Sequence, residues 1–233
     1  MRILEVLDRQ LYTPAFAARL VDLEPSRVRR WLRGYDYAYH SGRNKHPEKR
    51  HQAPVVRRSQ TRGERYASFL DLIDLLFIRG FVNEGISLQK LRRALEEADR
   101  LSKGHRFAHE DFWTDGRRIF LQVENQGKAL LQLLSGGQWT IKDVVKRYAK
   151  QIDFSTDSGM AERWFPLGKT KPIVIDPRIG FGAPTILDKN ITTANIYDLY
   201  IAENEDIGRV EEWFELGHKQ VQSAVEFEKR IAA

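Results

Sequence analysis

Between Pro25 and Arg33 the chain carries four guanidinium groups, Arg27, Arg29, Arg30 and Arg33, interleaved with Val28, Trp31 and Leu32. A guanidinium stays charged at any relevant pH. Its planar fork matches phosphate oxygens and the acceptor edge of guanine, so this segment suits a polyanion that carries bases. At roughly 100° per residue the three apolar side chains share one arc and the four arginines the other, which predicts a helix with one buried and one cationic face. A solvated cationic face on an ordinary helix is the competing reading, and the flanking residues argue against it. Thr13 and Pro14 form a helix start, Asp22 breaks that helix, Pro25 and Ser26 restart one, and Gly34 supplies a left-handed end. Two short helices across a tight turn, TPAFAARLVDLEPSRVRRWLRG, read as a helix-turn-helix whose second helix enters a major groove. Ser26, Arg27, Arg29, Arg30 and Arg33 are its candidate DNA contacts.

After Gly34, two β-prone pieces, Tyr35 to Tyr39 and Pro54 to Arg57, bracket a polar loop. They predict a hairpin wing that places Arg43, Lys45, Lys49 and Arg50 along the phosphate backbone, with Tyr37 and Tyr39 packing or stacking. A basic loop without fixed structure is the alternative. RNA binding through the wing tyrosines is a further possibility.

Other chemistry is weakly represented. His105 and His109 stand four apart beside Glu110 and Asp111, a metal-ligand spacing only if the segment is helical, and no metal is expected there. His40, His46 and His51 lie among cations that would repel a metal ion, so phosphate or solvent contact is expected of them. Gly180-Phe181-Gly182 lacks the lysine and hydroxyl residue of a phosphate loop and reads as a tight turn between strands. No nucleophile with a base and no acidic triad appears, so neither an enzyme nor a bound cofactor is expected.

The 233 residues are long enough for one large core or two to three small ones, and they include no cysteine, which fits a reducing compartment. No signal-type or membrane-spanning apolar run is present, so a soluble cytoplasmic protein is expected. The net charge of +6 is uneven. Residues 1–63 hold 14 Lys and Arg against 6 Asp and Glu, a net of +8, whereas residues 171–233 hold 7 against 11, a net of −4. One end is suited to a polyanion and the other to something else.

The positioning elements follow. Ser68 with Asp71 forms a capping box ahead of Phe69 to Val82, apolar on nearly every side and therefore buried. Asn83, Glu84 and Gly85 turn the chain, and Ser87 caps a helix striped by Leu88, Leu91, Leu95, Ala98 and Leu101. From 104 to 168 a small α+β module is expected. Asp115-Gly116 is its first turn, KALLQLL an apolar run, Thr140 with Asp143 a helix cap, and FST, a DSG turn and AERWFPL a hairpin. Lys169 to Pro172 reads as a linker. Beyond it lie short strands and three helical patterns, Thr193 to Asn204, Ile207 to Leu216 and His218 to Ile231.

The order of Tyr12, ARL at Ala18 to Leu20, SRVRRW at Ser26 to Trp31, a wing, and FLDLIDLLFIRGFVNEGISLQKLRRAL resembles the DNA-binding region of MerR-type regulators over residues 11 to about 101. That resemblance implies DNA contact by Arg29, Arg30 and the wing cations. Asp22 stands where glycine is usual, and Asp tolerates the left-handed backbone needed there. The segment PIVIDPRIGFGAPTI and its helical trio resemble a small bacterial domain of unknown function found in VapB-type antitoxins. Asp176, Pro177, Gly182 and Pro184 match it, while Asp188, Lys189 and Asn190 replace its usual Gly-Thr-Arg.

The fold class expected is α+β, mainly helical: a winged helix-turn-helix with its helix pair over 1–103, the small α+β module over 104–168, and a C-terminal antitoxin-type module over 169–233. The resemblances together imply an antitoxin that represses its own operon and neutralises a PIN-like ribonuclease toxin, with Arg178 and Lys189 as candidate toxin contacts. A dimer is expected because one small headpiece makes too few DNA contacts. A MerR-like regulator without a toxin is the alternative.

Overall fold

A computed structural model describes residues 3–40, 47–56, 58, 66–99, 107–110 and 147–232, and it mixes helices with strands as an α+β arrangement. The N-terminal part runs α1 (Ile3–Leu7), β1 (Gln10–Tyr12), α2 (Pro14–Val21), α3 (Pro25–Arg33), β2 (Tyr35–Tyr39), β3 (Glu48–Gln52), β4 (Ala67–Ser68), α4 (Phe69–Asn83) and α5 (Leu88–Asp99). Strands β5 (Ile152–Phe154), β6 (Ala161–Trp164), β7 (Ile173–Ile175) and β8 (Pro184–Ile186) form one antiparallel sheet in chain order. Lys169 to Pro172 lies in the connection between its neighbouring strands β6 and β7. Helices α6 (Thr193–Ala202), α7 (Ile207–Phe214) and α8 (His218–Ala232) follow.

Local chemistry explains the first helices. Thr13 Oγ1 accepts from the Phe16 N–H at 3.1 Å, and Asp22 ends α2 in the left-handed region at φ 51°. In α4 the capping box is complete, since Asp71 N–H donates to Ser68 Oγ at 3.1 Å and Ser68 N–H to Asp71 Oδ2 at 2.8 Å. α4 is buried along most of its length, with Leu72, Ile73, Leu75, Phe77 and Ile78 shut off from solvent. Leu91 and Leu95 of α5 join the same core. Phe107 packs on Phe81 at 5.6 Å between ring centroids and Tyr148 meets Phe77 edge-on at 5.3 Å, closing the core over α4.

The wing differs from its expected layout. β2 pairs with Glu48–Gln52, not with Pro54 to Arg57. Val55 and Val56 are β-prone because they are apolar, yet that apolarity is satisfied by burial against α3. Their N–H groups donate to the Trp31 carbonyl at 3.0 and 3.1 Å, filling an acceptor that the end of α3 leaves open. Gly34 is needed beside this return, because a Cβ there would stand 2.3 Å from the Gln52 carbonyl oxygen and its φ is +75°. Arg43, Lys45, His46, Leu101, His105, the Asp115-Gly116 turn, KALLQLL and the Thr140–Asp143 cap lie outside the described residues.

The two ends of the chain meet. The Tyr12 hydroxyl donates to the Gly182 carbonyl at 2.9 Å, and both groups are buried. Burial, with the Asp176 carboxylate nearby, pushes the Tyr12 phenol above its ordinary range, so it remains a donor. Gly182 has φ +75°, and a Cβ there would lie 2.3 Å from the Tyr12 hydroxyl and 3.0 Å from Leu11. Gly182→Ala therefore costs roughly 2–4 kcal/mol, from overpacking plus positive-φ strain. Tyr12→Phe alone strands the Gly182 carbonyl and costs about 1–3 kcal/mol. In the double variant the hydroxyl no longer obstructs the new methyl, so urea unfolding is expected to give a combined loss smaller than the two separate losses added. Strict additivity would show that the residues do not meet.

Candidate nucleic-acid interface

α3 presents the arginines outward. Val28, Trp31 and Leu32 are buried, while Ser26, Arg27, Arg29, Arg30 and Arg33 are exposed. α3 docks on α2 and α4 through that apolar arc, and the buried indole of Trp31 fixes its roll. At the base of the wing the Arg30 guanidinium sits 5.3 Å from the centre of the Tyr35 ring, which carries the α3 surface onto β2.

Register divides the wing into two unlike faces. Cross-strand pairs are Tyr35 with Gln52, Asp36 with His51, Tyr37 with Arg50, Ala38 with Lys49 and Tyr39 with Glu48. Paired residues share a face and neighbours along a strand do not. Tyr35, Tyr37, Tyr39 and Arg50 thus line one face, each tyrosine more than a third exposed. Tyr35 and Tyr37 are 6.0 Å apart, and the Arg50 guanidinium lies 3.7 Å over Tyr39 while also meeting Glu48 at 3.2 Å. On the other face, Asp36 meets Lys49 Nζ at 2.9 Å and His51 Nδ1 at 2.8 Å. Hydrogen bonds from Lys49 first and His51 second hold the Asp36 carboxyl below its usual range. Lys49 and Arg50, adjacent in sequence, point to opposite sides, and each has a carboxylate partner, Asp36 for Lys49 and Glu48 for Arg50. Arg50 and the tyrosines extend the α3 surface. Tyr35 joins this face, and its period-two spacing with Tyr37 and Tyr39 is the sequence signal for it.

The C-terminal candidates separate as well. Arg178 forks onto Asp176, with Nε to Oδ1 at 2.8 Å and Nη2 to Oδ2 at 2.6 Å, and its Nη1 reaches Glu162 at 3.3 Å. The Asp176 bond, ahead of every other influence, raises the Arg178 pKa. That guanidinium clamps the β7–β8 connection to β6. Lys189 is exposed just after β8. Gly180–Gly182 forms a single tight turn between β7 and β8, with Phe181 at φ 53° and 84% exposed. Among the described residues no three His, Asp or Glu side chains are grouped to hold a metal ion, and no helix is long and apolar enough to cross a membrane.

Charged groups also join α2, α4 and α8. Arg79 donates to the Val21 carbonyl at 2.5 Å and to Asp22 at 3.2 Å. Burial lowers the Arg230 pKa against the opposing pull of Asp22, and Arg79 lowers it further. Thr193 donates to Glu228, whose carboxyl is raised chiefly by burial and held back by Thr193 and Arg19. Because the folded carboxyl has the higher pKa, ionising it at neutral pH costs native stability, and acidification through that range restores it. Glu228→Gln keeps the acceptor for Thr193 without the charge. It is expected to exceed wild type in stability at pH 7 and to converge with it towards pH 4 in urea unfolding. The reverse trend would contradict the burial cause.

The chain is similar to known proteins. The model of the family described as "Protein of unknown function (DUF433)" matches residues 173–227, from β7 into α8. A protein of Mycobacterium tuberculosis named "Putative antitoxin VapB45" is 23% identical over 199 residues, spanning 81% of this chain and 82% of that protein. The crystal structure of Rv2018 from Mycobacterium tuberculosis superposes with a TM-score of 0.67 at 20% identity, covering 94% of this chain and 99% of that one. The last of these shows a shared fold extending over both ends of the chain.

Proposed function

We propose that this chain is the antitoxin of a toxin–antitoxin pair, a non-enzymatic regulator that binds operator DNA through a MerR-like winged helix-turn-helix and neutralises a PIN-like ribonuclease. The observation that carries the DNA half is the outward arginine face of the Trp31-anchored α3, continued through Tyr35, Tyr37 and Arg50 along one side of β2–β3. Support for the toxin half comes from the similarity to a protein named as an antitoxin, which extends over most of both chains.

Functionally, residues 1–103 form the operator-binding part and residues 169–233 the toxin-facing part, in a protein of the cytoplasm. Arg27, Arg29, Arg30 and Arg33 carry the groove and phosphate contacts, with Ser26 at the helix start, Arg50 on the β2–β3 hairpin, and Arg43 and Lys45 as further phosphate contacts. A single headpiece of this size offers few contacts, and a homodimer spanning two half-sites supplies the rest. Tyr12–Gly182 and the α2–α8 contacts tie the two parts together.

The test uses the full chain with two partners: a duplex from upstream of its own gene, and the purified product of the neighbouring gene. Saturable duplex binding together with a stable complex that silences RNA cleavage is expected. Binding of RNA that duplex DNA fails to displace would overturn the DNA half, and no complex with an active neighbouring ribonuclease would overturn the toxin half.

A further inference from the structure

Helices α6 and α7 carry a surface that the DNA reading leaves unused. From Asp198 to Glu215 the chain holds seven carboxylates and one cation, Arg209. Trp213 of α7 is 72% exposed within that segment, and Ile201 near the end of α6 is 50% exposed. Packing requires neither side chain there. α7 is held by buried Val210, with Ile207 and Phe214 leaning on the core. Local pairing takes up part of the charge, as Glu203 binds Arg209 at 2.8 Å and Glu211 meets His218 at 2.7 Å, and the surplus remains negative.

An indole left in water forgoes the burial of roughly 150–250 Å² that docking would provide, and tryptophan is enriched among residues that dominate interface energies. A twofold pairing of this face with itself would bring carboxylates against carboxylates. The complementary surface is basic and contains a slot for a flat ring. A ribonuclease has such a surface of necessity, because RNA is held by cations along its phosphates and by side chains that stack on its bases.

We propose that the α6–α7 face is an RNA mimic on which the toxin's substrate groove closes, with carboxylates such as Glu212 in place of phosphates and the Trp213 indole in place of a stacked base. This rests on the ribonuclease-toxin reading above. Inhibition is then competitive with RNA and weakens as salt rises.

The test compares wild type, Trp213→Ala and Glu212→Lys as full chains, titrated against the purified product of the neighbouring gene with and without a single-stranded RNA oligonucleotide. Both side chains are exposed, so thermal unfolding and duplex-DNA affinity should match wild type. Trp213→Ala is expected to weaken the complex about thirty-fold, Glu212→Lys to weaken it most at low salt, and the oligonucleotide to displace wild type. If wild type binds and both variants bind equally well, the mimic is overturned while the antitoxin reading stands. If wild type binds no ribonuclease, that reading fails and this inference with it. If the variants instead change the sedimentation of the free protein, the face joins copies of this chain and the mimic is likewise overturned.

Discussion

On the proposed function, Arg30→Ala is expected to weaken operator binding by about 1–3 kcal/mol and to leave toxin binding unchanged. If the proposed dimer neutralises roughly 6–10 phosphates, its DNA affinity is expected to fall about 10³ to 10⁵-fold between 50 and 200 mM salt. Both effects follow from one geometry. Arg30 is exposed on α3, and its guanidinium lies against Tyr35, so part of its side-chain freedom is already spent before DNA arrives. Arg29 lies next to it on the same outward arc. An arginine at a base edge relaxes specificity at one position when removed, whereas one on a phosphate lowers the salt slope by about one, and titration at several salt concentrations separates the two. Lys49→Ala is the internal comparison, since Lys49 projects from the opposite face of the β2–β3 hairpin. It should change affinity far less than Arg50→Ala. A salt-independent affinity, or equal effects at Lys49 and Arg50, would remove the proposed interface. Loss of toxin binding in Arg30→Ala would show that the two activities are not separable.

Asp71→Ala is expected to be the most destabilising single change discussed, at about 3–5 kcal/mol. Its carboxylate is 3% exposed and accepts from Arg58 Nε at 3.0 Å, Arg58 Nη2 at 2.6 Å and Ser68 N–H at 2.8 Å. Truncation takes the Asp71 carboxylate away from the Arg58 guanidinium, 6% exposed, and also removes half of the α4 capping box. Arg58 follows the wing in the chain and further donates to the Tyr66 carbonyl at 2.9 Å, so this pair pins the wing's return segment onto α4. Duplex affinity should therefore fall together with stability. At roughly 2–4 °C per kcal/mol for a chain of this size, Tm drops by about 10 °C. Adding Arg58→Met, which removes the buried guanidinium, should recover part of the loss. A Tm within a degree of wild type for Asp71→Ala would refute the buried pair as an anchor.

Short-range signals were legible and reliable. The Thr13 and Ser68 caps, the left-handed Asp22 and the two-sided pattern of α3 each depend on residues within a turn or two, where hydrogen-bond geometry and periodicity leave few choices. The DSG hairpin and the three C-terminal helices were readable for the same reason. The second wing strand was not. Glu48-Lys49-Arg50-His51-Gln52 has no β-branched residue, and it pairs because Asp36 and Tyr39 supply partners across the ladder. The apolar pair Val55-Val56 looked like the strand and was claimed by α3 instead.

In the linear order of residues lay the charge polarity of the two ends, the amphipathic α3 and the Thr13 and Ser68 caps of α2 and α4, since these follow from composition and from contacts a few residues long. Folding in three dimensions settled which partner each of these side chains meets. It turned Lys49 towards Asp36 and Arg50 towards the tyrosines, engaged Arg178 with Asp176 and Glu162, and seated Tyr12 on Gly182 across 170 residues of chain. The reason is that an exposed charge and a paired one carry the same letter, and only strand register and the packing of distant segments bring a partner within reach.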